Sequence, residues 1–109
     1  MNKSMVYSAA LFIYLLNTAP AHAEEYVLTL KNNQFFPKVL TIPAGQIIKI
    51  TVKNQDATPA EFESGDLNRE KVVGANSEVI IFIGPLDAGS YGYFDDFHRD
   101  ATTGTILAK

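Results

Sequence analysis

Most side chains that could perform chemistry lie in one stretch near the C terminus, Leu86 to Gly104. Here His98, the only histidine outside the first 23 residues, stands among the acids Asp95, Asp96 and Asp100. Carboxylates crowded at a strand end repel one another unless solvent, a cation or protonation relieves the repulsion. Imidazole and carboxylate groups in this arrangement predict a metal site.

A second acidic stretch, Pro59 to Val73, lies further upstream. Its four acids are Glu61, Glu63, Asp66 and Glu70. If the chain is extended there, Glu61 and Glu63 point to one face and Phe62 to the other, because side chains alternate along a strand. The two stretches can then meet at one end of a β-sandwich, with the glutamates near His98. Asp66 and Glu70 would help to attract cations. The alternative for these two residues is a solvated loop in which they pair with Arg69 or Lys71.

This convergence predicts a set of metal ligands. We expect His98 to be a direct ligand, and Asp95 and Glu61 to be the first carboxylate ligands. Asp96 and Glu63 are second choices, which could equally orient the imidazole from outside the coordination sphere. Each residue also has a simpler interpretation as part of a solvated surface.

The hydrophobic pattern that positions these residues has a period of two almost throughout, which indicates strands. Gly, Pro and Asn separate about seven short runs, rich in β-branched residues, such as Ile47 to Val52. Glu78 to Ile83 is almost wholly apolar, which predicts a strand buried on both faces. Tyr91 and Tyr93 are expected on one side of their strand. The predicted fold is an all-β Greek-key sandwich.

The N terminus predicts export. Residues 1–23 contain a lysine, an apolar run of about a dozen residues and a small-residue exit ending at Ala23, the pattern of a cleaved signal peptide. Cleavage leaves a single domain, residues 24–109, in the bacterial periplasm, with no membrane span. That domain has 8 basic and 12 acidic residues, and the basic ones form no stripe, so nucleic acid is excluded as a partner. The chain has no cysteine, so it forms no disulfide.

The C-terminal stretch resembles the copper loop of cupredoxins, which reads Gly-x-Tyr-x-Tyr-x-Cys, followed by His three residues later and Met five after that. In this comparison Asp95 stands in the place of Cys, His98 in that of His and Thr103 in that of Met. Ala60 or Glu61 occupies the place of the family's first histidine. Leu86 to Tyr91 is also similar to the tyrosine corner of Greek-key sandwiches.

A more specific resemblance covers the whole mature chain. The segments that carry it are Phe36 to Gly45, Pro59 to Ser64, Leu67 to Lys71 and Tyr93 to His98. They are similar to EfeO-type cupredoxin-like domains and to the periplasmic cupredoxin-like component of FtrABCD-type iron uptake systems. This resemblance implies the handling of iron or copper in the periplasm beside an iron permease.

The donor types can be weighed independently of this resemblance. A blue-copper site uses a thiolate and usually a weak axial thioether, and the predicted mature domain contains neither cysteine nor methionine. Carboxylates with one imidazole suit harder ions, namely Fe(II), Fe(III), Mn(II) or Cu(II). The main expectation is therefore a protein that binds or oxidises iron for transport. The alternatives are a copper-binding or copper-delivery protein and a metal-free interaction domain; no hydrolase or transferase signature is present.

Overall fold

The computed structural model describes residues 24–99 and 103–109, and this part of the chain forms nine β-strands and no helix. The strands are β1 (Glu24–Lys31), β2 (Gln34–Phe36), β3 (Val39–Ile42), β4 (Ile48–Asn54), β5 (Ala60–Ser64), β6 (Arg69–Val73), β7 (Ser77–Ile83), β8 (Gly89–Asp95) and β9 (Thr103–Ala108). The prediction of an all-β sandwich is confirmed. The count exceeds the expected seven because β2 and β6 were not predicted.

The strands form two sheets, with the orders β2-β1-β4-β7 and β3-β9-β8-β5-β6. The pairs β1–β4 and β3–β9 are parallel, and the other pairs are antiparallel. In the five-stranded sheet β5 lies between β8 and β6. The two acidic stretches of the sequence therefore lie on neighbouring strands, although more than thirty positions separate Glu61 from Asp95.

The core lies between the sheets and follows from the alternation. In β4, Ile48, Ile50 and Val52 face inward with at most 1% of their surface exposed. Burial of such a side chain contributes roughly 1.5–3 kcal/mol. Near the end of β8 the core is aromatic. The ring of Tyr93 stacks on that of Phe62, with 5.0 Å between the ring centroids, and packs edge-on against Phe35, with 4.9 Å between the centroids.

Two asparagines form the turn after β1. Asn32 and Asn33 both have positive φ angles, 53° and 57°, and they connect β1 to β2 as a two-residue hairpin turn. Tight hairpin turns require positive φ angles, and asparagine tolerates them better than most residues do.

The Tyr91 hydroxyl donates to the Asp87 carbonyl oxygen at 2.7 Å. This bond is that of a tyrosine corner, as the resemblance implied.

The expectation that β7 is buried on both faces is wrong. Ile81 and Ile83 are buried, but Ile80 and Phe82 are each about half exposed. The reason is topological, since β7 is an edge strand of a two-layer sandwich and the described residues place no layer over its outer face. An apolar run alone does not distinguish this position from a central one.

Within the described residues, no helix is long and apolar enough to cross a membrane. The predicted signal peptide, residues 1–23, lies outside the described residues.

Candidate metal centre

Asp95 ends β8 with its side chain directed into the protein, where it is fully buried. Its Oδ1 accepts hydrogen bonds from the main-chain N–H groups of Glu61, at 2.9 Å, and Phe97, at 3.0 Å. Its Oδ2 lies 2.8 Å from Nδ1 of His98. These bonds compensate the buried carboxylate and fix the position of the imidazole.

His98 lies in the turn after β8, where its main-chain N–H donates to the Asp95 carbonyl oxygen at 3.0 Å. Its side chain is 30% exposed. A carboxylate at Nδ1 favours the tautomer with the proton there, which leaves the Nε2 lone pair available. Nε2 makes no hydrogen bond within the described residues. The arrangement is that of an imidazole held ready to bind a ligand through Nε2.

The main chain of Glu61 links the two acidic stretches through hydrogen bonds. Its main-chain N–H bonds to the Asp95 side chain, and its carbonyl oxygen accepts the N–H of Asp96 at 2.9 Å. The prediction that the upstream acidic stretch approaches the His98 loop is correct at the level of the main chain.

The side chains of Glu61 and Glu63 project from the opposite face of β5 to Phe62, which is buried in the core. Glu63 is paired with Glu70 across the β5–β6 ladder, so all three glutamates share the outer face of the sheet. One carboxylate oxygen of each lies within 4.8 Å of the others. Among the described residues this is the one group of three acidic, histidine or cysteine side chains with ligand atoms so close together, and we call it the glutamate triad.

One member of the glutamate triad, Glu61, is disfavoured in its charged form. Glu61 is only 8% exposed. Desolvation by burial, together with a hydrogen bond to Asp96 and the neighbouring Glu70 and Glu63, raises the pKa of Glu61 from 4.5 to about 7. Protonation of Glu61 below about pH 7 removes this cost, and a bound cation would offset it as well.

The predicted ligands thus fall into two adjacent sets. Glu61 and Glu63 belong to the glutamate triad, whereas His98 and Asp95 form a separate pair on the inward side of β8. Asp96 belongs to neither set: its Oδ1 accepts a hydrogen bond from Nε of Arg99, and its side chain contributes to the raised pKa of Glu61.

Sequence reasoning did not include Glu70 among the ligands. The β5–β6 hairpin places it opposite Glu63, and the signal for that hairpin is the turn between Ser64 and Arg69, where Asn68 has a φ of 54°. Asp66, expected to pair with a basic residue or to attract cations, instead accepts the N–H of Gly92 at 2.9 Å. This bond ties the hairpin to β8. Asp100 lies outside the described residues.

Comparison with known proteins identifies the fold. Residues 4–108 match the model of the cupredoxin-like domain family. An uncharacterized protein of Rickettsia prowazekii is 39% identical over 85 residues, which cover 78% of this chain and 68% of that protein.

Solved structures share the fold at low identity. Auracyanin A of Chloroflexus aurantiacus, described as a "blue" copper protein, has a TM-score of 0.68 at 15% identity and covers 81% of this chain and 100% of its own. Amicyanin of Paracoccus versutus has a TM-score of 0.61 at 20% identity, with 85% of this chain and 87% of its own covered.

Proposed function

Because this chain belongs to the cupredoxin-like domain family and contains no cysteine, we propose that it is an exported protein that binds iron through the glutamate triad. The observation that carries the proposal is the approach of three carboxylates to within 4.8 Å of one another. Burial and the neighbouring carboxylates disfavour the charged form of Glu61 in the apo protein, and a positively charged ligand would offset that cost.

The donor set decides the class of ion. A blue-copper centre does not fit, because such a centre needs a thiolate and this chain has none. Carboxylate oxygens suit hard ions, and several anionic oxygens favour Fe(III) over Fe(II). Bound Fe(II) would therefore become easier to oxidise, provided that an electron acceptor such as dioxygen is present.

The roles of the predicted residues follow from their positions. Glu61, Glu63 and Glu70 are assigned as iron ligands. Asp95 is assigned to positioning His98 rather than to the metal, since its two oxygens already hold two N–H groups and the imidazole.

Titration of the purified mature domain tests the iron proposal. We expect it to bind Fe(II) under anaerobic conditions, and we expect Glu61→Gln or Glu63→Gln to lower the affinity at least tenfold. The matched control is Glu78→Gln, an exposed glutamate on β7 in the other sheet, which should leave the affinity within about twofold of the wild type. Equal affinity in the triad variants and the control would contradict the assignment.

Copper binding is the second candidate, and the geometry of His98 favours it. An imidazole oriented by a buried carboxylate is a common Cu(II) ligand arrangement, and structural neighbours such as auracyanin A are described as copper proteins. In that case His98→Ala should lower Cu(II) affinity at least tenfold while the domain stays folded. A Cu(II) affinity unchanged by His98→Ala would exclude His98 as a ligand.

The cellular setting proposed is the periplasm, with an iron permease and other uptake components as partners. Its support is the N-terminal sequence pattern and the resemblance to iron-uptake components. The mass of the protein recovered from the periplasm of an expressing bacterium would test export. A product beginning at Glu24 is expected, and retention of residues 1–23 would contradict cleavage.

A further inference from the structure

A cationic side chain already lies beside the carboxylates of the proposed metal site. Nε of Arg99 donates a hydrogen bond to Oδ1 of Asp96. The guanidinium carbon lies 5.3 Å from the centroid of the Phe94 ring, in a cation–π contact. Arg99 is therefore fixed from two directions, although 69% of its side chain is exposed.

Both of its contacts adjoin the glutamate triad. The main-chain N–H of Asp96 donates to the Glu61 carbonyl oxygen at 2.9 Å, and Phe94 is the register partner of Glu63 across the β5–β8 ladder. Arg99 thus contacts two residues that neighbour members of the triad, Asp96 beside Glu61 and Phe94 beside Glu63. The guanidinium group stays charged at every physiological pH, so its positive charge is permanent.

We propose that Arg99 is an internal competitor of the metal ion. It holds Asp96 outside the coordination sphere and lowers the affinity of the triad, so that the bound ion can be released to a partner. This inference rests on the proposed function of the triad. It differs from a purely structural role, in which Arg99 would merely stabilise the turn after β8.

The physical basis is the competition of two cations for the same carboxylates. With Arg99 in place, one negative charge is already neutralised, and an incoming ion meets a like charge nearby. When the guanidinium is removed, Asp96 becomes available as a fourth carboxylate and the repulsion disappears. Tight binding would suit storage, whereas weaker binding suits a carrier that transfers its ion.

The test is a set of metal titrations on the mature protein, with Fe(II) under anaerobic conditions and with Mn(II) as a probe that stays divalent. Arg99→Gln should raise the affinity about tenfold, as expected for loss of one like charge near a partly buried site. Arg99→Lys keeps the charge and should stay near the wild-type affinity. Asp96→Asn added to Arg99→Gln should remove most of the gain, because it also removes the negative charge that Arg99→Gln leaves unpaired.

The matched control is Lys71→Gln. Lys71 lies on β6 next to Glu70 in the sequence, but it is paired with Phe62 and so belongs to the opposite face. The substitution removes the same charge from the molecule without touching the Arg99–Asp96 contact. If Arg99→Gln gains affinity and Lys71→Gln does not, the position of the charge matters rather than the net charge.

The outcomes separate this inference from the proposed function. Equal affinities in wild type, Arg99→Gln and Lys71→Gln would overturn the competitor role while leaving the triad as a metal site. A lower unfolding midpoint of Arg99→Gln without tighter binding would assign Arg99 to structure alone. If the wild-type protein binds neither Fe(II) nor Mn(II), the proposed function fails and this inference fails with it.

Discussion

Glu61 has two separate roles at the scale of single residues. Its main chain belongs to the folded framework, since it bonds to the Asp95 side chain and to the N–H of Asp96. Its side chain belongs to the candidate site, where it approaches Glu63 and Glu70. The residue can therefore be altered at its carboxylate without removing the main-chain bonds that join β5 to β8.

The raised pKa of Glu61 predicts how stability varies with pH. The folded protein retains a proton at this carboxyl up to about pH 7, whereas the unfolded chain loses it near the ordinary value of 4.5. The stabilisation is complete below that lower value and is lost as the pH rises to about 7. We expect Glu61→Gln to flatten this part of the stability profile and to raise the unfolding midpoint of the apo protein at pH 8.

The measurement is thermal unfolding of the metal-free protein between pH 4 and pH 8, with Glu78→Gln as the control for loss of one carboxylate. If Glu61→Gln and Glu78→Gln follow the same pH profile, the carboxyl of Glu61 is not perturbed by its neighbours.

Tyr93 and Tyr91 provide a second prediction at this scale. Burial raises the pKa of the Tyr93 phenol, and its hydroxyl finds no hydrogen-bond partner among the described residues. Tyr93→Phe removes this unpaired group and should leave the free energy of unfolding unchanged or increase it by about 1 kcal/mol. Tyr91→Phe removes the bond to the Asp87 carbonyl oxygen and should lower the free energy by about 1 kcal/mol.

Denaturant unfolding of both variants measures the contrast. A larger loss of stability in Tyr93→Phe than in Tyr91→Phe would show that the Tyr93 hydroxyl has a partner after all.

At the scale of elements, the β5–β6 hairpin and the end of β8 position the side chains of the candidate site. Alternation correctly predicted that Glu61 and Glu63 share a face opposite Phe62. The same alternation along β8 places Asp95 on the inward side with Tyr91 and Tyr93, so the sequence pattern also indicates that Asp95 is buried.

The position of Glu70 in the site cannot be predicted from hydrophobic periodicity. Its position opposite Glu63 is a matter of register, which the turn between β5 and β6 sets. The pairing of Asp66 with Gly92 likewise joins residues 26 positions apart and follows from no local pattern. Contacts of this kind require the tertiary structure.

The pairing of β8 with β9 gives a prediction about packing. Gly104 is the register partner of Tyr93, whose ring lies over it, and a Cβ atom at Gly104 would overlap the phenol. Gly104→Ala should therefore lower the free energy of unfolding by about 1–3 kcal/mol, since the aromatic core must shift. Gly65→Ala is the control, because a Cβ atom there meets open space.

Chemical denaturation of the two alanine variants checks this prediction. Equal stability of Gly104→Ala and Gly65→Ala would mean that the Tyr93 ring can move away at no cost.

At the scale of the whole molecule, the fold was predictable and the identity of the ligand was not. Alternating runs and turn residues were sufficient for an all-β sandwich, because these signals are local and repeated. A metal site depends on the distances between side chains from different strands. The sequence grouped His98, Asp95, Asp96, Glu61 and Glu63 into one centre, whereas the structure separates the His98–Asp95 pair from the glutamate triad.

The most direct test of the central claim is a crystal structure of the mature protein loaded with iron, with anomalous scattering recorded at the iron edge. We expect an anomalous peak between the carboxylates of Glu61, Glu63 and Glu70. A peak at Nε2 of His98 with none at the glutamates, or no peak in a protein fully exposed to iron, would contradict it.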